Sequence, residues 1–510
     1  MLSPRAANRR ALALVAAFTL LHLLICPFVG LGTNEAYAIA SGRLMSLSYF
    51  DHPPLHFWLA HLGELIFGDT RFARIPFIVL GAGTSWLMFL LTRQLFGERA
   101  GLWTVLVLNV SLFFDLVSGN WILPDGPLNF FVLATALTLA PLALGRETLS
   151  VQRWLLAGVF LGLAALSKYH AFVFAAAFFL FLLTSTSGRR ILRTPQPWLA
   201  ALTALLIFTP VLYWNSQHDW ISFRFQGGRA GVAHHIGIAP FFSLLVAQIF
   251  LLSLWIAPLL FQAVVRALRD KPNEQIQFLL WLGLPLTLFF VLVPLWSDGG
   301  MVQWAMPGWL VLLPLLGAHL ARQELRSRWP KRWAIASGIA FLLFVVLACA
   351  EIQTGWLGQT FPRLFRNGDP TIEYVEWTPL AAVTRQISHG QRWFALASSW
   401  RDAAKIDQAL KGTLPVLVAS EDPRNFALLA NARSLQGWNA LIVVRSSPFQ
   451  LVTAGSANCF SSTRPLSKFV IQRGSTPEMT LDVAVGLHYM SSRCSGPPLS
   501  KPHAGNHRLP

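Results

Sequence analysis

Long apolar runs recur through roughly the first 350 residues, and their ends alternate in kind: basic at one, acidic or histidine-bearing at the next. Few patterns constrain a fold more. Backbone polar groups in hydrocarbon must bond within a helix or a closed barrel. Runs near ~20 apolar residues are helix length, not barrel-strand length. Composition agrees: 54% of residues are hydrophobic and 12% charged, against about 25% charged in soluble domains. The net charge of +17 sits largely in short loops, which suits membrane orientation and contact with anionic headgroups or lipid phosphates. No nucleic-acid partner is expected.

The opening MLSPRAANRR carries Arg5, Arg9 and Arg10 and is expected to stay cytoplasmic. The first apolar run has no small-residue cleavage site and reads as a retained anchor. About eleven transmembrane helices are expected. They cover approximately 11–31, 72–91, a third run ending near 117, 128–144, 154–166, 171–183, 198–214, 241–265, 278–295, 304–320 and 333–350. The transmembrane domain is thus 1–352, with a first external loop at about 32–71. In that loop Glu35–Leu47 and Leu55–Phe67 are expected to form short amphipathic helices on the membrane, parted by the stiff DHPPL turn.

Residues 353–494 lack a long apolar run. WFALAS, LPVLVAS and ALIVVRS read as short buried strands, and RDAAKIDQAL and PRNFALLANA as helices between them. The fold expected is mainly α, with a small external C-terminal α/β domain. The odd number of spans puts that domain outside, and 495–510 reads as a disordered tail. Cys26 and Cys349 lie in spans as small apolar residues. Cys459 and Cys494 are candidates for a disulfide in an oxidising compartment. No spacing resembles a zinc site.

Polar groups collect at six places on one expected membrane face: Asn34–Glu35, Asp51–His52, Asp125, Lys168–Tyr169–His170, the HDWISFRFQ loop with His218 and Arg224, and Gln303–Trp304. Each alone is compatible with a solvated interfacial group. Asp51 differs because Pro53–Pro54 stiffens the chain beside it. A carboxylate takes the proton of an attacking hydroxyl. Lysine and arginine hold a leaving phosphate. A divalent cation on Asp51 and Glu35 is another way to do part of that work. The set suits group transfer from a phosphate-linked donor. Outside the cell no nucleotide sugars are supplied, so a lipid-linked donor is expected.

TNEAYAIASG, YFDHPPLHFWL, ARIPF, NWILPDGPL, LSKYHAFVF, WNSQHDWISFRFQ and VQWAMPGWL follow one another between about 32 and 310. In these motifs the chain resembles the GT-C glycosyltransferases, in the bacterial branch related to protein O-mannosyltransferases and the lipid A aminoarabinose transferase. WRDAAKIDQAL and DPRNFALL resemble that branch's outer domain. The resemblance implies an inverting enzyme of the bacterial inner membrane, acting as a monomer, with its N-terminus cytoplasmic and its C-terminal domain periplasmic. It implies a polyprenyl-phosphate-sugar donor and an envelope acceptor such as lipopolysaccharide core, lipid A or another glycan. The family's first outer loop usually begins Asp-Glu, but here the pair is Asn34 and Glu35, and asparagine is no base. Three alternatives follow: Glu35 or Asp51 is the base, the acceptor is already an anion, or the activity is weakened. The resemblance favours Asp51 or Glu35 as base or metal ligand, Asp125 as a pocket residue, and Lys168 and Arg224 on the donor phosphate. Asn34, Tyr169, His52, His218 and Gln303 complete the substrate-binding candidates. Two other readings fit such a chain: a transporter or flippase for a lipid-linked saccharide, and an inactive scaffold of the same fold. Polar groups clustered at span ends, without related halves, speak against the transporter.

Overall fold

The computed structural model describes residues 3–68, 70–145, 149–231, 238–270, 272–297, 300–363, 369–385, 387, 391–445 and 458–493. The chain divides into two compact units. A membrane unit takes Met1–Leu24, His52–His56 and Arg74–Phe344, and a second unit, labelled outer after the side expected from sequence, takes Ile25–Asp51, Phe57–Ala73 and Val345–Pro510. The first loop therefore groups mainly with the C-terminal residues.

In chain order the helices are α1 (Pro4–Ile25), α2 (Thr33–Gly42), α3 (Leu55–Phe67), α4 (Ile75–Phe96), α5 (Glu98–Asn109), α6 (Asp125–Leu139), α7 (Val151–Ser167) and α8 (His170–Thr184). There follow α9 (Thr186–Leu192), α10 (Gln196–Gln217), α11 (Ile221–Ala230), α12 (Ile238–Leu252), α13 (Ala257–Arg269), α14 (Glu274–Leu292), α15 (Met306–Glu324) and α16 (Trp329–Thr354). Among the described residues seven helices are long and apolar enough to cross a bilayer, or nine spans if two bent pairs each count once. The other two expected spans fall on α7, apolar but only 17 residues long, and on α5 with the π-helical turn Leu112–Val117.

Small residues let the membrane helices close up. Gly158 and Gly162 of α7 stand one turn apart against Ala200 and Ala204 of α10, and a Cβ on Gly158 would run into the Ala200 carbonyl. Packing through small residues replaces the hydrophobic drive that lipid removes. One expected span is corrected. The run at about 241–265 is not a single helix: α12 and α13 meet at 102°. Ser253 sits between them with φ 82°, a value outside the right-handed helix, and its hydroxyl accepts the Leu112 N–H. α13 carries Arg266 and Arg269 in its last turn.

In the outer unit a five-stranded sheet has the order β2-β1-β3-β5-β4, with β1 (Trp393–Ala397), β2 (Val416–Val418), β3 (Asn439–Arg445), β4 (Phe460–Arg473) and β5 (Thr476–Tyr489). β1 pairs parallel with β2 and β3, and β5 runs antiparallel between β3 and β4. The three strands expected from apolar runs are β1–β3. The two expected helices are α18 (Trp400–Ala409) and a shorter α19 (Phe426–Leu429), which follow α17 (Trp356–Thr360). Phe394, Leu396, Ile442, Val444, Phe460 and Tyr489 share the core.

The helix expected over Glu35–Leu47 ends earlier, at Gly42. Nor does it lie on a surface: all of α2 except Asn34 is buried, and it packs on α18. Its alanines suit that close approach, and Gly42 leaves room for the Phe57 carbonyl of α3. α3 has the expected bounds and exposes Leu62, Leu65 and Ile66, the apolar face of an interfacial helix. Cys459 is buried and disulfide-bonded; its expected partner Cys494 and the tail 495–510 lie outside the described residues.

Candidate active site

In the membrane unit the expected motifs meet around α11. Asp125 opens α6, and Lys168 follows the last turn of α7. The Lys168 ammonium donates to Asp125 Oδ1 at 2.9 Å, and each residue is 3% exposed. A carboxylate at a helix N-terminus also meets the positive end of the helix dipole. The next residue, Tyr169, shares a 2.7 Å hydrogen bond with Ser222 Oγ of α11. The Ser222 N–H donates to the side chain of the buried Asn215 on α10. One turn on, the Gln226 amide lies 3.5 Å from His52 Nδ1, and the His52 ring meets His56 edge-on at 5.5 Å. At the far end of α11 the Arg229 guanidinium lies 5.4 Å over the Trp304 ring. His170 stacks on Phe290 at 4.1 Å and meets Trp304 at 6.0 Å. His52, Asp125, Lys168, Tyr169, His170 and Trp304 thus join one network.

Two candidates, Arg224 and His218, stand apart from it, and Gln303 touches its edge through Met301, which Arg229 also contacts. Arg224 is exposed and has no ion pair among the described residues. Ser222, Gln226 and Arg229 are spaced i, i+4, i+7 and share a helix face, and Arg224 lies on the opposite one. Arg229, not Arg224, is thus the arginine of α11 that reaches the network. His218 stacks on Trp214 at 3.9 Å, and its Nδ1 lies 2.8 Å from the Trp214 carbonyl; it ends α10. The Gln303 amide lies 3.6 Å from Met301 Sδ. A second ion pair escaped the sequence reading. His22 of α1 meets Asp115 at 2.9 Å, both buried, with Asp115 in the π-helical turn.

In the outer unit the two candidate carboxylates are both engaged. Glu35, 2% exposed, accepts the Gly32 N–H at 2.8 Å and caps α2. Asp51, also 2% exposed, accepts from the Tyr37 hydroxyl on Oδ1 at 3.1 Å and from Arg424 on Oδ2 at 3.3 Å. Burial first, then the Asp51 charge, holds the Tyr37 hydroxyl well above its ordinary pKa, so it remains a donor. The Arg424 guanidinium lies 3.9 Å over the Trp400 ring, and its backbone is left-handed at φ 47°. The Asn425 side chain accepts the Phe50 N–H. The loop carboxylate is therefore held by the DPRNF segment, nearly 400 residues away in sequence. Asn34 is exposed. Asp51 thus accepts on both oxygens, and Glu35 accepts on Oε2. No group of three or more His, Cys, Asp or Glu side chains among the described residues could hold a metal ion.

Residues 51–214 match the family of dolichyl-phosphate-mannose-protein mannosyltransferases. The chain is 25% identical over 66% of its length to the lipid A galacturonosyltransferase RgtD of Rhizobium johnstonii, covering 70% of it. It is 28% identical over 70% of its length to undecaprenyl phosphate-alpha-4-amino-4-deoxy-L-arabinose arabinosyl transferase 1 of Sodalis glossinidius, covering 65% of it. ArnT from Cupriavidus metallidurans, solved bound to undecaprenyl phosphate, superposes with a TM-score of 0.65 at 16% identity, over 92% of this chain and 97% of that one. The chain has the fold of that transferase. Beside the exposed Asn34, Glu35 bonds the start of α2 and Asp51 bonds Tyr37 and Arg424.

Proposed function

We propose that this chain transfers a sugar from a polyprenyl-phosphate carrier to lipid A or a related envelope glycolipid, at the periplasmic face of the bacterial inner membrane and with inversion at the sugar carbon. The observation that carries the reading is the network of Lys168–Asp125, His52 and Arg229 around α11, in a chain of this fold with lipid A sugar transferases among its relatives. An acceptor oxygen attacks the anomeric carbon as the bond to the carrier phosphate breaks, and the phosphate leaves with the electron pair. Arg229 and Lys168 supply the positive charge that stabilises it. Because Asp51 and Glu35 are already engaged, an acceptor that is itself an anion, a phosphate or carboxylate oxygen, needs no base. The Cys459 disulfide supports an oxidising compartment for the outer unit.

The test is mass spectrometry of lipid A and core from a strain lacking this chain, paired with transfer by the purified protein from polyprenyl-phosphate sugars. The reading expects one sugar missing from the glycolipid and restored in vitro. An unchanged glycolipid profile together with no transfer in vitro refutes it. A flippase predicts instead a missing sugar that the purified protein cannot add.

A further inference from the structure

A cleft of about 310 Å³ opens at one end of the outer unit's sheet, lined by Gln391, Arg392, Gln436, Trp438, Asn439 and His488. It lies where β1 and β3 begin and β5 ends. β1 runs from Trp393 beside the cleft to Ala397, and Trp400, which holds Arg424, comes just after its far end. A strand rises about 3.3 Å per residue, so the two ends of β1, one at the cleft and one towards Trp400, stand about 13 Å apart.

Its hydrogen-bonding character is one-sided. The Gln391 carbonyl oxygen accepts from Asn439 Nδ2 at 2.7 Å. The Asn439 oxygen accepts the His488 N–H at 3.1 Å. The Gln436 oxygen accepts both the N–H and the hydroxyl of Ser491, at 2.9 and 3.0 Å. All three amide oxygens are thus occupied from within. The cleft presents the Gln436 NH₂, the Arg392 guanidinium and the His488 ring. No carboxylate lines it among the described residues. Arg392 is pre-positioned over the Trp438 ring at 5.6 Å, which limits the entropy lost when it grips a ligand. His488 takes a left-handed backbone at φ 50°, a conformation that costs free energy in a non-glycine residue.

We propose that this cleft is a docking subsite for an acidic sugar residue, one bearing a carboxylate or a phosphate. Donor-rich walls with an arginine select oxyanions. The volume stands at the small end of ligand pockets, the size for one sugar residue rather than a chain. Amide and ring walls suit the hydroxyls and faces of a pyranose. The inference rests on the proposed transferase reading in one respect: the acidic sugar belongs to the acceptor glycan, gripped away from the reacting atoms.

The experiment measures binding to the full-length protein in detergent by saturation-transfer NMR and titration calorimetry. The probes are galacturonate, glucosamine 6-phosphate, glucose and inorganic phosphate. Both acidic sugars are expected to bind at least tenfold more tightly than glucose or inorganic phosphate, and Arg392→Ala and His488→Ala to weaken them at least tenfold. Equal binding of glucose, or binding unaffected by Arg392→Ala, overturns the site. Inorganic phosphate binding as tightly as the sugar phosphate overturns its saccharide character. If the two acidic sugars differ by tenfold, the subsite is assigned to the tighter anion. In a transfer assay Arg392→Ala should raise the KM for acidic acceptors with kcat unchanged. Binding without any transfer would leave the subsite standing while refuting the transferase reading.

Discussion

In the membrane unit Asp125 faces Lys168 and Asp115 faces His22, one group against one. In the outer unit a single Arg473 meets Glu351, Asp369 and Glu478, and a single Arg43 meets Glu64 and Asp407. The membrane pairs sum towards neutrality, and the outer clusters carry excess negative charge. The medium explains the difference. Buried among apolar helices, an unmatched charge has neither water nor counterions, so each group needs its own partner. In the outer unit Asp369 and Glu478 keep part of their side chains exposed, so surplus carboxylate charge is screened or takes up protons. The same contrast bears on the proposed chemistry, because Asp51 and Glu35 bond structural partners while Lys168 and Arg229, the cations proposed to meet a phosphate, lie in the membrane unit.

The largest test is to break a membrane pair. Lys168→Ala leaves Asp125 buried and unpaired, and a loss of about 3–5 kcal/mol is expected. It should show as a collapse in detergent thermal stability and membrane accumulation. Asp125→Leu with Lys168→Met should be less harmful than the sum of the single changes. Strict additivity in that cycle would undo the pairing argument.

Arg473→Met should cost about as much at neutral pH, roughly 3 kcal/mol, because three carboxylates lose their shared partner. Here acid should rescue: lowering the pH towards 5 protonates surplus carboxylates in the outer unit and returns part of the melting temperature. A smaller return is expected of the Lys168→Ala protein, where one carboxylate rather than three has lost its partner. Equal rescue of both would erase the distinction between the regions.

Asp407 gives a smaller, signed effect. Burial first, opposed by Arg43 and reinforced by Glu64, raises its pKa from 3.8 to about 6. Between those values the folded chain holds a proton that the unfolded chain has released, so stability falls as pH rises through the window. The effect amounts to at most about 3 kcal/mol, and Asp407→Asn should flatten that slope in thermal unfolding followed from pH 4 to 7. The smallest structural effect is expected at Arg224, where alanine should change stability by no more than about 0.5 kcal/mol and leave transfer near its original rate. Arg229→Ala, with a similar fold stability, should lower transfer by about tenfold or more. A reversed order for the two arginines would restore the choice that sequence alone suggested.

That choice shows where the reading of residues stopped. The motif HDWISFRFQ covers α11, and the helical period over Ser222, Gln226 and Arg229 separates the face that meets the network from the one that bears Arg224. The β4–β5 hairpin was missed because β4 is polar and holds Pro465, and the ladder slips between Pro465 and Ser467. Proline and bulges belong to edge strands, whose exposed faces lack an apolar signature. Its turn was nonetheless written in Gly474–Ser475, with Gly474 at φ 58°, a two-residue hairpin signal. Helix α2 was read as surface-bound because an isolated loop after a span has no visible partner.

Apolar run lengths, basic loop ends and the three short hydrophobic strands are local properties, and they were enough to specify a polytopic helical protein with a small α/β domain. Pairings between distant segments are not local. That Arg424 clamps Asp51, that Lys168 neutralises Asp125, and that the run at 241–265 breaks at Ser253 depend on which surfaces meet once the helices pack. A charged side chain's role is set by the partner and the dielectric around it, and only the tertiary structure supplies either.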